Sequence, residues 1–191
     1  MTSSLDLFCP DTGTDVFDLS PYDNENAPVV THRSTGAKSG FKGTRASSQG
    51  YKIYVVVNAA GVHYVGCTCT RMSSRLNLGH MRHLEGKNGY HGYKWLGETG
   101  LQLYVFYLRG LAHPSKDEQV TLFNKQVAER IEAELVYVVR TATGKWPLSQ
   151  HEIHFHNLDA HTGLAEKTTD TARQLYQQLQ LRWPLVAEHT A

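Results

Sequence analysis

The sequence predicts an α/β fold of the α+β kind. It is a small sandwich with a three-stranded, mostly antiparallel sheet flanked by helices, and it carries extensions at both ends. Three observations lead there. Residues 52–76, KIYVVVNAAGVHYVGCTCTRMSSRL, hold two β-branched and aromatic runs joined by Ala59-Ala60-Gly61, the pattern of a β-hairpin that continues into a helix. LQLYVFYL, at 101–108, is an apolar run between Gly100 and Gly110 and reads as a buried third strand. Phe123, Val127, Ile131, Leu135 and Val139 recur every four residues, the apolar stripe of a long helix.

The elements follow in order. Residues 1–30 are acidic and turn-rich, with Pro10, Pro21 and Pro28, and are expected to form short strands or an irregular arm. Residues 31–50 combine four glycines with four cations and little apolar content, the composition of a loop. After the hairpin, residues 77–100 hold six glycines, three histidines, two tyrosines and a tryptophan. That is too irregular for regular structure and too aromatic for a disordered linker. Ser115-Lys116-Asp117-Glu118 reads as a capping box that starts the long helix, which ends before Gly144. Residues 145–158 read as a Pro-led turn and an extended piece with His154 and His156 on one side. Ala172, Leu175, Tyr176, Leu179 and Trp183 form the face of a C-terminal helix stopped by Pro184. The expected organisation is an acidic arm and basic loop at 1–49, a core at 50–158 and a helical extension at 159–191, together one compact domain.

Composition limits the function. The 191 residues suffice for one domain with a real core. No apolar run approaches the roughly 18 residues of a membrane span. The N-terminus has no basic start followed by an apolar stretch, so no secretory signal is read there. Cys9, Cys67 and Cys69 cannot build a disulfide framework, and Cys67-x-Cys69 lacks two further spaced zinc ligands; thiols in a reducing cytoplasm are expected. The net charge of +1 hides a strong asymmetry. Residues 1–25 hold six acids and no Lys or Arg, whereas residues 26–84 hold eight cations and no acid. Such a segment suits a polyanion, because cations release counterions from a phosphate backbone. Arg33, Lys38, Lys42, Arg45, Arg71 and Arg82 are the candidate nucleic-acid contacts. The acidic arm reads as a solvated tail.

The hairpin adds a more specific signal. Lys52-Ile53-Tyr54 and Tyr64-Val65-Gly66, followed by Ser74-Arg75-Leu76, resemble the signature of the GIY-YIG nucleases. The resemblance covers roughly residues 50–158. It implies hydrolysis of a phosphodiester with Mg²⁺, for which Mn²⁺ substitutes. Tyr54 then stands as the general base and Tyr64 as the residue that positions water or phosphate. Arg75 is the cation for the transition state, with Arg71 as its alternative, because one extra residue separates Arg75 from Gly66. Glu132 is the metal ligand, followed by Leu135 and Val136 at the family's spacing, with Glu129 and Glu134 as competitors. Asn157 closes the catalytic region after a longer gap than is usual. His80, with His83 and His91 as rivals, orients Tyr54 or shares its proton transfer.

The expected function is therefore a divalent-metal-dependent DNA endonuclease, of restriction type in view of its compact chain and core insertions. The expected partner is double-stranded DNA, cut by a homodimer or higher oligomer. Repair, mobile-element and defence nucleases acting on structured DNA or RNA remain open. Two other readings stand beside it: a non-catalytic nucleic-acid-binding module on the same fold, and a metalloenzyme built on His151, His154 and His156.

Overall fold

The protein is described by a computed structural model that covers residues 7–8, 14–20, 29–36, 40–77, 94–111, 117–158, 161 and 163–183. Five strands form one sheet: β1 (Thr14–Ser20), β2 (Val29–His32), β3 (Lys52–Asn58), β4 (Gly61–Thr68) and β5 (Leu101–Tyr107). A helical turn, α1, spans residues 72–77. Two long helices follow, α2 (Glu118–Thr143) and α3 (Leu164–Arg182). The strand order is β2-β1-β5-β3-β4, and every neighbouring pair is antiparallel.

The expected three-stranded sheet is thus corrected to five strands. The extra two come from the acidic N-terminal stretch and the start of the basic one. In β1, Phe17 and Leu19 are buried beneath the sheet while Asp15 and Asp18 occupy half-buried places. The partners of β1 lie far away in sequence: Thr14 pairs with Phe106 and Leu19 with Leu101. Within the stretch read as a loop, Thr31 and His32 belong to β2, and residues 45–47 form a 3-10 turn.

The two faces of the sheet bury different partners. Ile53, Val55, Val65, Tyr104 and Phe106 face α2 and α3, where they meet Val127, Ile131, Leu135, Leu175 and Leu179. Tyr54, Val56, Tyr64, Leu103 and Val105 point the other way, against Phe41, Ala46, Met72, Leu76 and Trp95. β3 is buried along its whole length because β5 and β4 flank it and both faces are covered. The β3–β4 turn is tighter than Ala59-Ala60-Gly61 suggested, since Gly61 already belongs to β4. Asn58 Oδ1 accepts from Ala60 N at 2.8 Å, and Gly61 takes a φ of 141° that few other residues adopt.

α2 begins at Asp117 rather than at the Ser115 box. The Asp117 carboxylate accepts from the backbone N–H groups of Gln119 (2.9 Å) and Val120 (3.3 Å), two donors left open at a helix start. Ser115 lies outside the described residues. Gly144 closes α2 in the left-handed conformation, where it costs least. No helix among the described residues is long and apolar enough to cross a membrane.

Candidate active site

The site begins with strand register. Tyr54 in β3 lies directly opposite Gly66 in β4, and Tyr64 lies opposite Val56. Both tyrosines therefore share the face away from the long helices, with ring centroids 5.9 Å apart. Gly66 is what makes this possible. A Cβ on Gly66 would stand 2.5 Å from Tyr54 Cζ and Oη and 2.7 Å from Tyr64 Cε1. The tyrosine rings lie across the bare Cα, so the Tyr-Val-Gly run is a packing requirement as well as a motif.

α1 then brings in the cation. Buried Met72 and Leu76 seat it on the same face. Arg75, between them, donates from Nε to Tyr54 Oη at 3.2 Å. Arg71 stands exposed before the turn. Of the two arginines considered from the sequence, Arg75 is the one hydrogen-bonded to Tyr54.

Glu132 approaches from the opposite face. Cys67 pairs with Ile53 and so faces α2, where its thiol donates a hydrogen bond to the Glu132 carboxyl group. Burial pushes the Glu132 pKa up to about 7; the Cys67 bond and the charges of Arg75 and His154 pull it down, and Glu129 pushes it up. Burial, reinforced by Glu132, also holds the Cys67 thiol well above its ordinary value. Arg75 thus acts electrostatically on Cys67 and Glu132 as well as on Tyr54. The two faces meet at β4 because it is an edge strand.

The competing carboxylates have other partners. Glu134 binds Arg130 at 2.9 Å and 2.7 Å. Glu129 lies 2.7 Å from His156 Nε2 and 3.6 Å from Lys125 Nζ. Among the described residues no group of three or more His, Cys, Asp or Glu side chains is placed to hold a metal. Glu132 still fits a hard divalent cation. Its burial disfavours the carboxylate, and a dication supplies positive charge there, with water and substrate oxygens completing its shell. Burial and Glu132 favour the neutral thiol at the neighbouring Cys67.

The other candidates are dispersed. Asn157 is exposed, one residue past His156, whose carbonyl accepts from Arg130 at 3.1 Å. Lys42 and Arg45 lie on the loop that covers the tyrosine face through Phe41 and Ala46; the Arg45 guanidinium stands 5.8 Å from the Tyr107 ring centroid. Arg33 follows β2, at the opposite sheet edge from β4. His80, Lys38 and Arg82, with His83 and His91, lie outside the described residues.

Sequence reasoning missed Lys52. It is 1% exposed, and its ammonium donates to the carbonyls of Gly50 (2.6 Å) and Thr70 (3.1 Å). Burial lowers its pKa to about 8. Lys52 ties the entry of β3 to the exit of β4, just before Arg71 and α1. Nothing local signalled this, since a lysine at a strand end is ordinarily solvated. His154 and His156 were noted for their alternation. Their placement beside Glu132 and Glu129 depends on how residues 151–158 lie along α2.

No family model matches this chain. No curated protein matches it. Among solved structures it is similar to one described as restriction endonuclease HPY188I in complex with product DNA. The identity is 12%, the match covers 71% of this chain and 78% of that one, and the TM-score is 0.38.

Proposed function

We propose that this chain is a divalent-metal-dependent DNA endonuclease of the GIY-YIG type, restriction-like, acting on double-stranded DNA as a dimer or higher oligomer. The observation that carries this reading is the Arg75–Tyr54 hydrogen bond, formed over Gly66 and one strand edge away from Glu132. These groups come from two strands, a helical turn and a distant helix.

The roles follow from the chemistry. Tyr54 acts as the phenolate, whose negative charge the Arg75 guanidinium offsets through its hydrogen bond to Oη; it takes the proton of the attacking water as the water oxygen bonds to phosphorus and the leaving oxygen departs, and it becomes the neutral phenol. Arg75 is also the cation that meets the charge on the phosphate oxygens in the transition state. Tyr64, packed beside Tyr54, fixes the position of that ring and of the water. Glu132 is the residue that would hold the divalent cation, which when bound supplies charge neutralisation at the leaving oxygen.

The test is plasmid cleavage with Mg²⁺ or with EDTA, for the wild type and Glu132→Gln. Fragments that need Mg²⁺ and vanish in the variant support the reading. Equal cutting by the variant places the metal elsewhere. Salt-sensitive binding with no cutting at all replaces the nuclease by a binding module.

A further inference from the structure

One surface plays no part in this chemistry. Tyr137 on α2 and Trp146, Leu148 and Phe155 beyond it are 45%, 46%, 55% and 47% exposed. The Tyr137 ring meets Trp146 and Phe155 edge-on, at 5.4 and 5.5 Å between centroids. Arg130 lies 4.0 Å from the Phe155 centroid and Arg140 lies 5.7 Å from that of Trp146. Clustered exposed aromatics are uncommon unless something covers them.

The strap that carries three of these residues is anchored to β4 and to the middle of α2. Leu148 N and Ser149 N donate to the carbonyls of Val62 (3.0 Å) and His63 (2.8 Å), and Val65 N donates to the Gln150 side chain at 3.1 Å. The strap thereby lines the edge of β4, the strand that bears Tyr64, Gly66 and Cys67. Further along, His156 binds Glu129 and the charge of His154 acts on Glu132. The strap that carries the shelf is therefore tied both to β4 and to the stretch of α2 that bears Glu129 and Glu132.

We infer that this shelf stacks an unpaired nucleobase of the substrate strand, next to the phosphate held at Arg75 and Glu132. The inference rests on the nuclease reading and adds a substrate class to it: nucleic acid with a single-stranded or splayed nucleotide beside the cleavage point. Every base offers a flat π-face that aromatic rings accept without regard to sequence. Arg140 and the exposed Lys145 supply the charge that a polynucleotide backbone requires, and the Glu134 carboxylate is already paired with Arg130. That tie to the elements of a phosphodiester site favours a nucleotide over a protein partner.

Trp146 makes the inference measurable, because Trp95 and Trp183 are buried, at 0% and 4% exposure. The full chain is titrated in EDTA with a short single-stranded DNA while tryptophan fluorescence is recorded. Saturable quenching is expected. Trp146→Ala should weaken binding about tenfold. Trp146→Phe should keep most of the affinity and lose the quenching, which controls for misfolding. Leu181→Ser, at an exposed position on α3, should change neither. Wild-type affinity in Trp146→Ala overturns the inference, as does a titration without quenching. Sedimentation that shows Trp146→Ala only splitting a dimer, with affinity intact, assigns the shelf to a second copy and overturns it too. Mg²⁺-dependent cleavage of plasmid DNA is measured alongside. Cleavage with undiminished Trp146→Ala binding sinks the shelf alone; stacking without cleavage supports the shelf and sinks the nuclease reading.

Discussion

Gly66 and Tyr54 occupy facing positions, and a side chain at 66 would collide with the Tyr54 ring. Gly66→Ala puts a methyl into a buried ring that has nowhere to go, so Tyr54 and Tyr64 must shift. The expected cost is about 1–3 kcal/mol, read by urea denaturation, together with loss of cleavage. A variant of wild-type stability would mean that the rings move freely. Tyr54→Phe removes only the hydroxyl to which Arg75 donates. Its stability should change by about 1 kcal/mol, while its cleavage should collapse. Glu132 makes a pH prediction. Its pKa is raised from 4.5 to about 7, so the folded protein binds a proton that the unfolded chain releases. Its contribution to stability is complete below about 4.5 and is lost as pH rises through 7. Thermal melting should fall more steeply between pH 5 and 8 in the wild type than in Glu132→Gln; parallel curves would place the carboxyl in water. At this scale the sequence was informative wherever a motif and a packing need coincide, as at Tyr54, Gly66 and Arg75. It was silent on Lys52 and Cys67, whose partners come from elsewhere in the fold.

At the scale of elements, legibility followed locality. The β3–β4 hairpin, β5 and α2 were readable because their patterns depend on residues close in sequence. β1 and β2 were not. Asp15 and Asp18 blur the alternation of β1, and its pairing with β5 spans most of the sheet-forming chain. The long helix was found by its stripe, but its start was misplaced by two residues because Asp117 caps it. Asp117→Ala should cost about 1 kcal/mol. Ile131→Ala, in the centre of the α2–sheet contact, should cost about 2–5 kcal/mol, read by denaturant unfolding. A loss below that range would mean that α2 settles into the space left behind.

For the molecule as a whole, the basic segment is divided by the fold. Arg33 sits at the β2 edge, Lys42 and Arg45 lie on the loop over the tyrosine face, and Arg71 and Arg75 lie by the β4 edge. Its described cations therefore do not form one stripe, although the sequence has no acid among them. Under the nuclease reading, Lys42→Ala with Arg45→Ala should weaken DNA binding and flatten its salt dependence, whereas Arg33→Ala should do so less. Equal effects would mean that DNA reaches across the whole sheet. Under the nuclease reading, Tyr54, Arg75 and Glu132 form a single site joined across β4. Single-turnover cleavage of DNA with Mg²⁺ in Tyr54→Phe, Arg75→Gln and Glu132→Gln, with binding measured separately, should show all three losing cleavage while still binding DNA. Wild-type cleavage in any of the three would overturn that site.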